Sequence, residues 1–179
     1  MKTLKIILFA VIGIIALALV AAMFVKEDYA VEKEVIINKP KAEVFNYVKY
    51  LKNQNNFSVW ASMDPHMKKT FKGTDGTTGF VSAWQSKNED VGTGEQTIIN
   101  VVEGQRIDYM LRFIEPFESS ANAYMATESV DSTHTKVKWG FSGKMEYPTN
   151  LTLVFMSMDQ MIGKDFETGL NNLKGILEK

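Results

Sequence analysis

The chain contains no cysteine, only four prolines and two histidines, and no excess of basic residues. The absence of cysteine excludes a disulfide scaffold, a thiol nucleophile, a cysteine zinc site and a lipid anchor on cysteine. Its 179 residues carry 20 basic and 21 acidic side chains. We expect no nucleic-acid partner, because binding to phosphates requires a basic excess. Hydrophobic residues make up 45% of the chain, and its length and composition are those of one globular domain.

An uninterrupted apolar run opens the chain at residues 6–25. Twenty residues in a helix reach about 30 Å, which is the thickness of the hydrocarbon core of a bilayer. We therefore predict a transmembrane anchor within residues 1–28. Lys2 and Lys5 precede the run, and the charges at residues 26–28 do not sum to a positive value. The positive-inside rule then predicts a cytoplasmic amino terminus and a single-pass protein whose domain is extracytoplasmic.

Two other interpretations of this run stay open. A cleaved signal peptide would find a small-x-small site at Ala16-Leu17-Ala18, although the apolar cores of signal peptides usually span about 7 to 15 residues. The other is a helix buried in a soluble protein. Under the anchor and the signal-peptide interpretations, the domain at residues 29–179 lies outside the cytoplasm.

Residues 29–179 begin with a strand and two short helices. The segment 29–37 is rich in β-branched residues and partly alternating, Pro40 fits the start of a short helix, and a second short helix or turn is expected around residues 53–60. Short loops and alternating patterns predict six further strands, mostly antiparallel. Their ranges are 67–72, 78–86, 91–102, 106–113, 121–130 and 136–143.

The carboxy-terminal stretch changes its period. From Leu151 to Leu177, apolar residues recur at steps of three and four. This spacing predicts one helix of about seven turns that packs an apolar stripe against the sheet.

The order of these elements resembles that of the helix-grip proteins, the superfamily that includes START, Bet v 1 and polyketide-cyclase proteins. Three stretches are similar to it, VIINKPKAEVFNYV, VGTGEQTI and MIGKDFETGLNNLKGIL, and the loop KGTDGTTG lies where Bet v 1-like proteins have their glycine-rich loop. The resemblance implies an α+β fold in which a curved seven-stranded antiparallel sheet surrounds the long carboxy-terminal helix. It also implies an internal cavity for lipids, sterols, polyketides or other hydrophobic molecules, but no common set of catalytic residues.

Motifs for metal, phosphate or nucleophile chemistry do not stand out. His66 and His134 are the two histidines, and Asp64 with His66 lacks a third ligand nearby. The glycines of residues 73–79 are not followed by the Gly-Lys-Ser/Thr of a phosphate loop. Nothing resembles the Gly-x-Ser-x-Gly motif of a serine nucleophile. We expect neither a metal nor a cofactor.

Aromatic and methionine side chains are plentiful, which suits an adaptable apolar pocket. Gln96, Arg112 and Glu128 are polar strand residues that could orient a ligand. In contrast, Leu170, Leu173 and Leu177 are predicted to pack as core. The predicted lining of the pocket is Trp60, Trp84, Gln96, Tyr109, Arg112, Trp139, Met158 and Met161.

The predicted function is binding of a hydrophobic small molecule or lipid in an internal cavity, by a domain tethered to a membrane. The first alternative is an enzyme that uses the same cavity, cyclase/dehydrase-like or hydrolytic, with Arg112 or Glu128 beside Tyr109 as the proton-handling group. The second alternative is an interaction module for other envelope proteins. A packed interior and a large apolar patch on the outer surface would identify that module.

Overall fold

The computed structural model describes residues 2–179. An apolar helix, α1 (Lys2–Ala22), precedes the domain, and residues 23–27 join it to the first strand, β1 (Asp28–Ile37). Within α1, Ala22 is the buried residue, and the rest of the helix is exposed or nearly so. The helix is long and apolar enough to cross a membrane.

The domain is a seven-stranded antiparallel sheet with helices on its concave side. After β1 come α2 (Lys41–Val48), a first 3₁₀ helix (Leu51–Asn56) and α3 (Val59–Met63). The remaining strands are β2 (Lys68–Lys72), β3 (Val81–Gln85), β4 (Thr93–Val102), β5 (Arg106–Glu115), β6 (Ser119–Ser129) and β7 (Thr135–Lys144). Their order in the sheet is β1-β7-β6-β5-β4-β3-β2, and every pairing is antiparallel, which agrees with the predicted antiparallel sheet.

The antiparallel order gives the sheet two distinct ends. One end holds the first residues of β1, β2, β4 and β6 and the last residues of β3, β5 and β7. Because α1 enters β1 at this end, we call it the α1 end. The opposite end, which holds the β4–β5 and β6–β7 turns, is called the far end.

The packed core lies towards the far end. Val44, Phe45 and Val48 of α2 are at most 1% exposed, and they belong to the same apolar cluster as Ile37 and Ile107. Alternation along each strand places one set of side chains in this core and the other in solvent. The α1 end is packed less completely.

The carboxy-terminal helix is shorter than the sequence pattern predicts. The structure has a second 3₁₀ helix (Thr149–Val154), one turn of π-helix (Asp159–Gly163) and then α4 (Lys164–Leu177). The buried side chain of Asn150 donates to the backbone carbonyls of Ala22, the last residue of α1, and of Val25 just after it, which holds the 3₁₀ helix at the α1 end. A new helical segment starts after Ser157, whose hydroxyl accepts a hydrogen bond from the N–H of Gln160 at 3.3 Å.

Candidate ligand cavity

A cavity of about 460 Å³ lies between the inner face of the sheet and the helices. This volume is in the usual range of small-molecule sites, about 300 to 1,000 Å³. All three tryptophans of the chain contribute to its wall. Other contributors are Tyr29, Leu51, Gln54, Met67, Lys69, Ser82, Gln96, Leu111, Phe113, Ala123, Phe141, Ile162 and Phe166.

Three aromatic rings form the wall beside α4. Trp139 stacks on Phe166, with 4.5 Å between ring centroids and 9° between ring planes. Trp60 packs edge-on against both rings, at 6.4 Å from Trp139 and 5.7 Å from Phe166. Gly169 makes this packing possible, because a Cβ there would lie 2.8 Å from the Trp139 ring. The three rings therefore pack on one another as one aromatic cluster.

Trp84 of β3 forms another wall of the cavity, on the same inner face of the sheet and near its other edge. Its ring lies across Gly94 of β4, where an added Cβ would approach it to 2.6 Å. Its indole N–H donates a hydrogen bond to the carbonyl of Val91 at 3.2 Å, and its ring packs edge-on against Phe113. Gly94, the second glycine of the sequence GTGEQ, thus leaves room for the tryptophan ring because it has no Cβ.

A few polar side chains interrupt the apolar wall. Ser82 and Gln96 are direct partners in the pairing of β3 with β4, and both line the cavity. Lys69 of β2 also lines it. Within residues 2–179, Lys69 has no carboxylate within salt-bridge distance. Burial lowers the pKa of its amine. The cavity therefore offers hydrogen-bonding groups and one amine to a polar part of a ligand.

The mouth of the cavity lies at the α1 end. The β3–β4 loop contributes Glu89 and Asp90, and the β5–β6 loop contributes Pro116 and Phe117, all of them exposed. The Phe117 side chain is 82% exposed although it lies beside the apolar cavity. Acidic groups and one exposed aromatic ring therefore surround the opening.

Four residues of the predicted lining are part of the cavity wall, and four lie elsewhere. Trp60, Trp84, Gln96 and Trp139 belong to the wall. Tyr109 is on the inner face of β5 but nearer the far end, where it is fully buried in the core. Its hydroxyl has no hydrogen-bond partner in residues 2–179, and burial raises its pKa, although the nearby amide of Gln54 limits the rise.

Arg112, Met158 and Met161 lie outside the wall, for two physical reasons. Arg112 has the parity of the outer face of β5, and its guanidinium donates to the carboxylate of Glu118 at 2.9 Å. Glu128 is also exposed and pairs with Lys138 at 3.2 Å. Because the helix starts late, Met158 packs partly buried against the core, and Met161 is 52% exposed.

Several cavity residues were missed by the sequence analysis. Leu111 and Phe113 share the inner parity of Tyr109, and Phe141 shares that of Trp139, so alternation could have identified all three. Lys69 could not be identified in this way. It belongs to the strand KKTFK, in which charged residues occupy both parities.

The described residues offer little for metal chemistry. No group of three or more histidine, aspartate or glutamate side chains within residues 2–179 is placed to hold a metal ion. His134 lies in the β6–β7 turn, where its ring pairs with Asp131 at 2.8 Å. Backbone N–H donation from Thr133 and the contact with His134 lower the pKa of Asp131 to about 2. This cluster stabilises a turn at the far end, away from the cavity.

Comparison with known proteins shows the fold. No protein-family model and no curated protein matches the chain. A protein of Thermobifida fusca solved by NMR is 20% identical, with a TM-score of 0.58 over 83% of this chain and 92% of its own. Norcoclaurine synthase of Thalictrum flavum, in complex with dopamine and hydroxybenzaldehyde, is 9% identical, with a TM-score of 0.61 over 85% of this chain and 87% of its own. Ara h 8.0201 is 13% identical, with a TM-score of 0.56 over 84% and 97%. The predicted helix-grip, Bet v 1-like fold is confirmed.

Proposed function

We propose that this chain binds a mostly apolar small molecule or lipid in the internal cavity. The observation that carries the proposal is the volume of about 460 Å³, lined mainly by apolar side chains that include tryptophan and phenylalanine rings. An apolar wall with a small number of placed polar side chains is the usual composition of a small-molecule site. An interaction module with a packed interior would not need this space.

The polar groups indicate the kind of ligand. Ser82 and Gln96 face each other across two strands, and Lys69 lies on the next strand of the same wall. Leaving these groups without partners inside an apolar site costs free energy, so a ligand gains by supplying acceptors to them. We propose an amphiphile with an acceptor group, such as a carboxylate or a hydroxyl, at one end.

The helix α1 supports a membrane location for this site. It is apolar along its length, exposed to its surroundings and joined to the domain by the short segment 23–27. In this proposal α1 is an uncleaved, single-pass anchor. The charges on either side of it favour a cytoplasmic amino terminus and an extracytoplasmic domain.

The enzyme alternative lacks the groups named for it. Arg112 and Glu128 are both exposed, in ion pairs on the surface of the domain, and do not line the cavity. We therefore propose binding without a chemical step.

A titration tests the proposal. The full chain is inserted in phosphatidylcholine nanodiscs, and a dansyl-labelled fatty acid is added while energy transfer from tryptophan to dansyl is measured. Because all three tryptophans line the cavity, a probe in it quenches their emission. Saturable transfer above that of empty nanodiscs is expected. Transfer no greater than partition of the probe into the bilayer would refute the proposal.

A further inference from the structure

We propose that the mouth of the cavity faces the bilayer that holds α1, and that the ligand is a single-chain amphiphile taken directly from that bilayer. The orientation rests on the position of α1 and of exposed apolar residues at the same end of the sheet, of which Phe117 is at the mouth. The choice of ligand also rests on the proposed binding function. Four features of the structure carry the inference.

The first feature is the topology of the sheet. The β3–β4 loop and the β5–β6 loop, which surround the mouth, are both at the α1 end, because β3 and β5 finish where β1 begins. Tyr29, the second residue of β1, also lines the cavity. The chain therefore leaves the apolar helix and reaches the cavity wall within the segment 23–29.

The second feature is the attachment of α1 to the domain. The amide of Asn150 donates to the carbonyls of Ala22 at 2.8 Å and Val25 at 2.9 Å, and its side chain is buried. Just beyond, the N–H of Met145 donates to the carbonyl of Glu27 at 2.9 Å. These contacts fix the end of the helix on the domain, so the α1 end has a defined orientation towards the membrane rather than a flexible tether.

The third feature is a set of exposed apolar side chains at the α1 end. Phe24 follows α1, Phe117 is at the mouth, and Phe155 follows the 3₁₀ helix that Asn150 holds against α1. They are 85%, 82% and 83% exposed. Val154 and Met23 beside them are also exposed. Large aromatic residues exposed at one end of a domain are typical of an interaction surface, and the apolar helix α1 at the same end favours a bilayer as its partner.

The fourth feature is the size of the cavity. A cavity of about 460 Å³ lies in the lower half of the range of small-molecule sites, about 300 to 1,000 Å³. That volume suits a single acyl chain with a small polar head better than a two-chain phospholipid. A single-chain amphiphile in the bilayer could enter through the mouth without crossing water, while its acceptor group meets Lys69, Ser82 or Gln96.

Site-directed spin labelling tests the orientation. Because the chain lacks cysteine, a single introduced cysteine carries the only label. Phe117→Cys and Phe155→Cys are labelled with a nitroxide in the full chain, in phosphatidylcholine nanodiscs. Ser132→Cys in the exposed β6–β7 turn at the far end is the water control, and Ile12→Cys within α1 is the membrane control. Collision rates with oxygen, which concentrates in the bilayer, and with a water-soluble nickel chelate are measured for each.

We expect the ratio of oxygen to nickel collisions at 117 and 155 to exceed that at 132 and to approach that at 12. Ratios at 117 and 155 equal to that at 132, with position 12 in the membrane, would overturn the inference. The titration with the dansyl-labelled fatty acid runs in parallel on the unlabelled chain. Saturable probe binding with water-exposed labels would overturn the orientation alone. Inserted labels without probe binding would overturn the proposed function and the choice of ligand, and would leave the orientation supported.

Discussion

A Leu111→Trp substitution enlarges a side chain that faces the cavity, and Leu173→Trp makes the same change in the packed core. Leu111 lines the cavity from β5, whereas Leu173 of α4 is 0% exposed within the core cluster. Both variants gain the same indole. The comparison therefore separates the effect of filling empty space from the effect of the tryptophan itself.

The expected magnitudes follow from the two surroundings. At Leu173 the larger side chain has no free volume, and overpacking costs about 1 to 3 kcal/mol in the free energy of unfolding. At Leu111 the added atoms enter a space of about 460 Å³, so a smaller loss of stability is expected. The tryptophan then occupies space that a ligand would fill. If the ligand can no longer bury two of its methylene groups, at about 0.8 kcal/mol each, its affinity falls about tenfold or more.

Thermal melts and titration with the dansyl-labelled fatty acid, both on the full chain, measure the two effects. Leu111→Trp should bind the probe at least about tenfold more weakly and melt close to the wild type. Leu173→Trp should melt lower and, where folded, bind the probe normally. Equal destabilisation of both variants without a change in binding would mean that the region around Leu111 is as solidly packed as that around Leu173.

Four further substitutions test individual contacts. Asn150→Ala removes the hydrogen bonds to the carbonyls of Ala22 in α1 and of Val25 just after it, and should lower the free energy of unfolding by about 1 to 2 kcal/mol in denaturant titrations; an unchanged value would mean that the end of α1 is not fixed by this residue. Tyr109→Phe deletes a buried hydroxyl without a partner in residues 2–179 and should raise the melting temperature, so a marked decrease would reveal a partner for that hydroxyl. Burial lowers the pKa of the Lys69 amine, so Lys69→Met should stabilise the chain at neutral pH, and this gain should shrink as pH rises and the wild-type lysine loses its charge. The same variant should bind the fatty-acid probe more weakly but a dansyl-labelled alkane equally well. Equal loss for both probes would contradict a role of Lys69 in binding the head group. The pKa of Asp131 is lowered to about 2, mainly by the hydrogen bond that its carboxylate accepts from the N–H of Thr133. The charged carboxylate therefore stabilises the fold above the ordinary pKa of 3.8, and this stabilisation is lost as pH falls towards 2. In thermal melts across that range, Asp131→Asn should be less stable than the wild type at neutral pH, and the difference should vanish near pH 2.

Strand alternation predicted which face a side chain occupies more reliably than how far along the sheet it lies. Trp84 and Trp139 have the inner parity and line the cavity, whereas Tyr109 has the inner parity and lies in the solid core nearer the far end. Arg112 has the parity of Asp108 and Met110, so the same alternation already placed it on the outer face. Its selection as a pocket residue went against the pattern.

Other features depend on contacts between distant segments, which a local pattern does not contain. The apolar spacing from Leu151 onwards fits a helix, but Asn150 binds the carbonyls of Ala22 and Val25, more than 120 residues earlier, and holds the start of that segment at the end of α1. Met158 and Met161 therefore do not reach the cavity. The volume itself depends on how the sheet curves, including the register shift of β4 between Ile98 and Asn100, and no spacing of residues predicts it.

Native mass spectrometry of the full chain, released from nanodiscs prepared directly from the membranes in which it is expressed, tests the central claim most directly. We expect one low-mass amphiphile retained per chain in the wild type, and a reduced retained fraction in Leu111→Trp at equal folded content. A wild-type chain that carries no retained molecule and takes up none of the fatty-acid probe, or equal retention in both proteins, would contradict binding in this cavity.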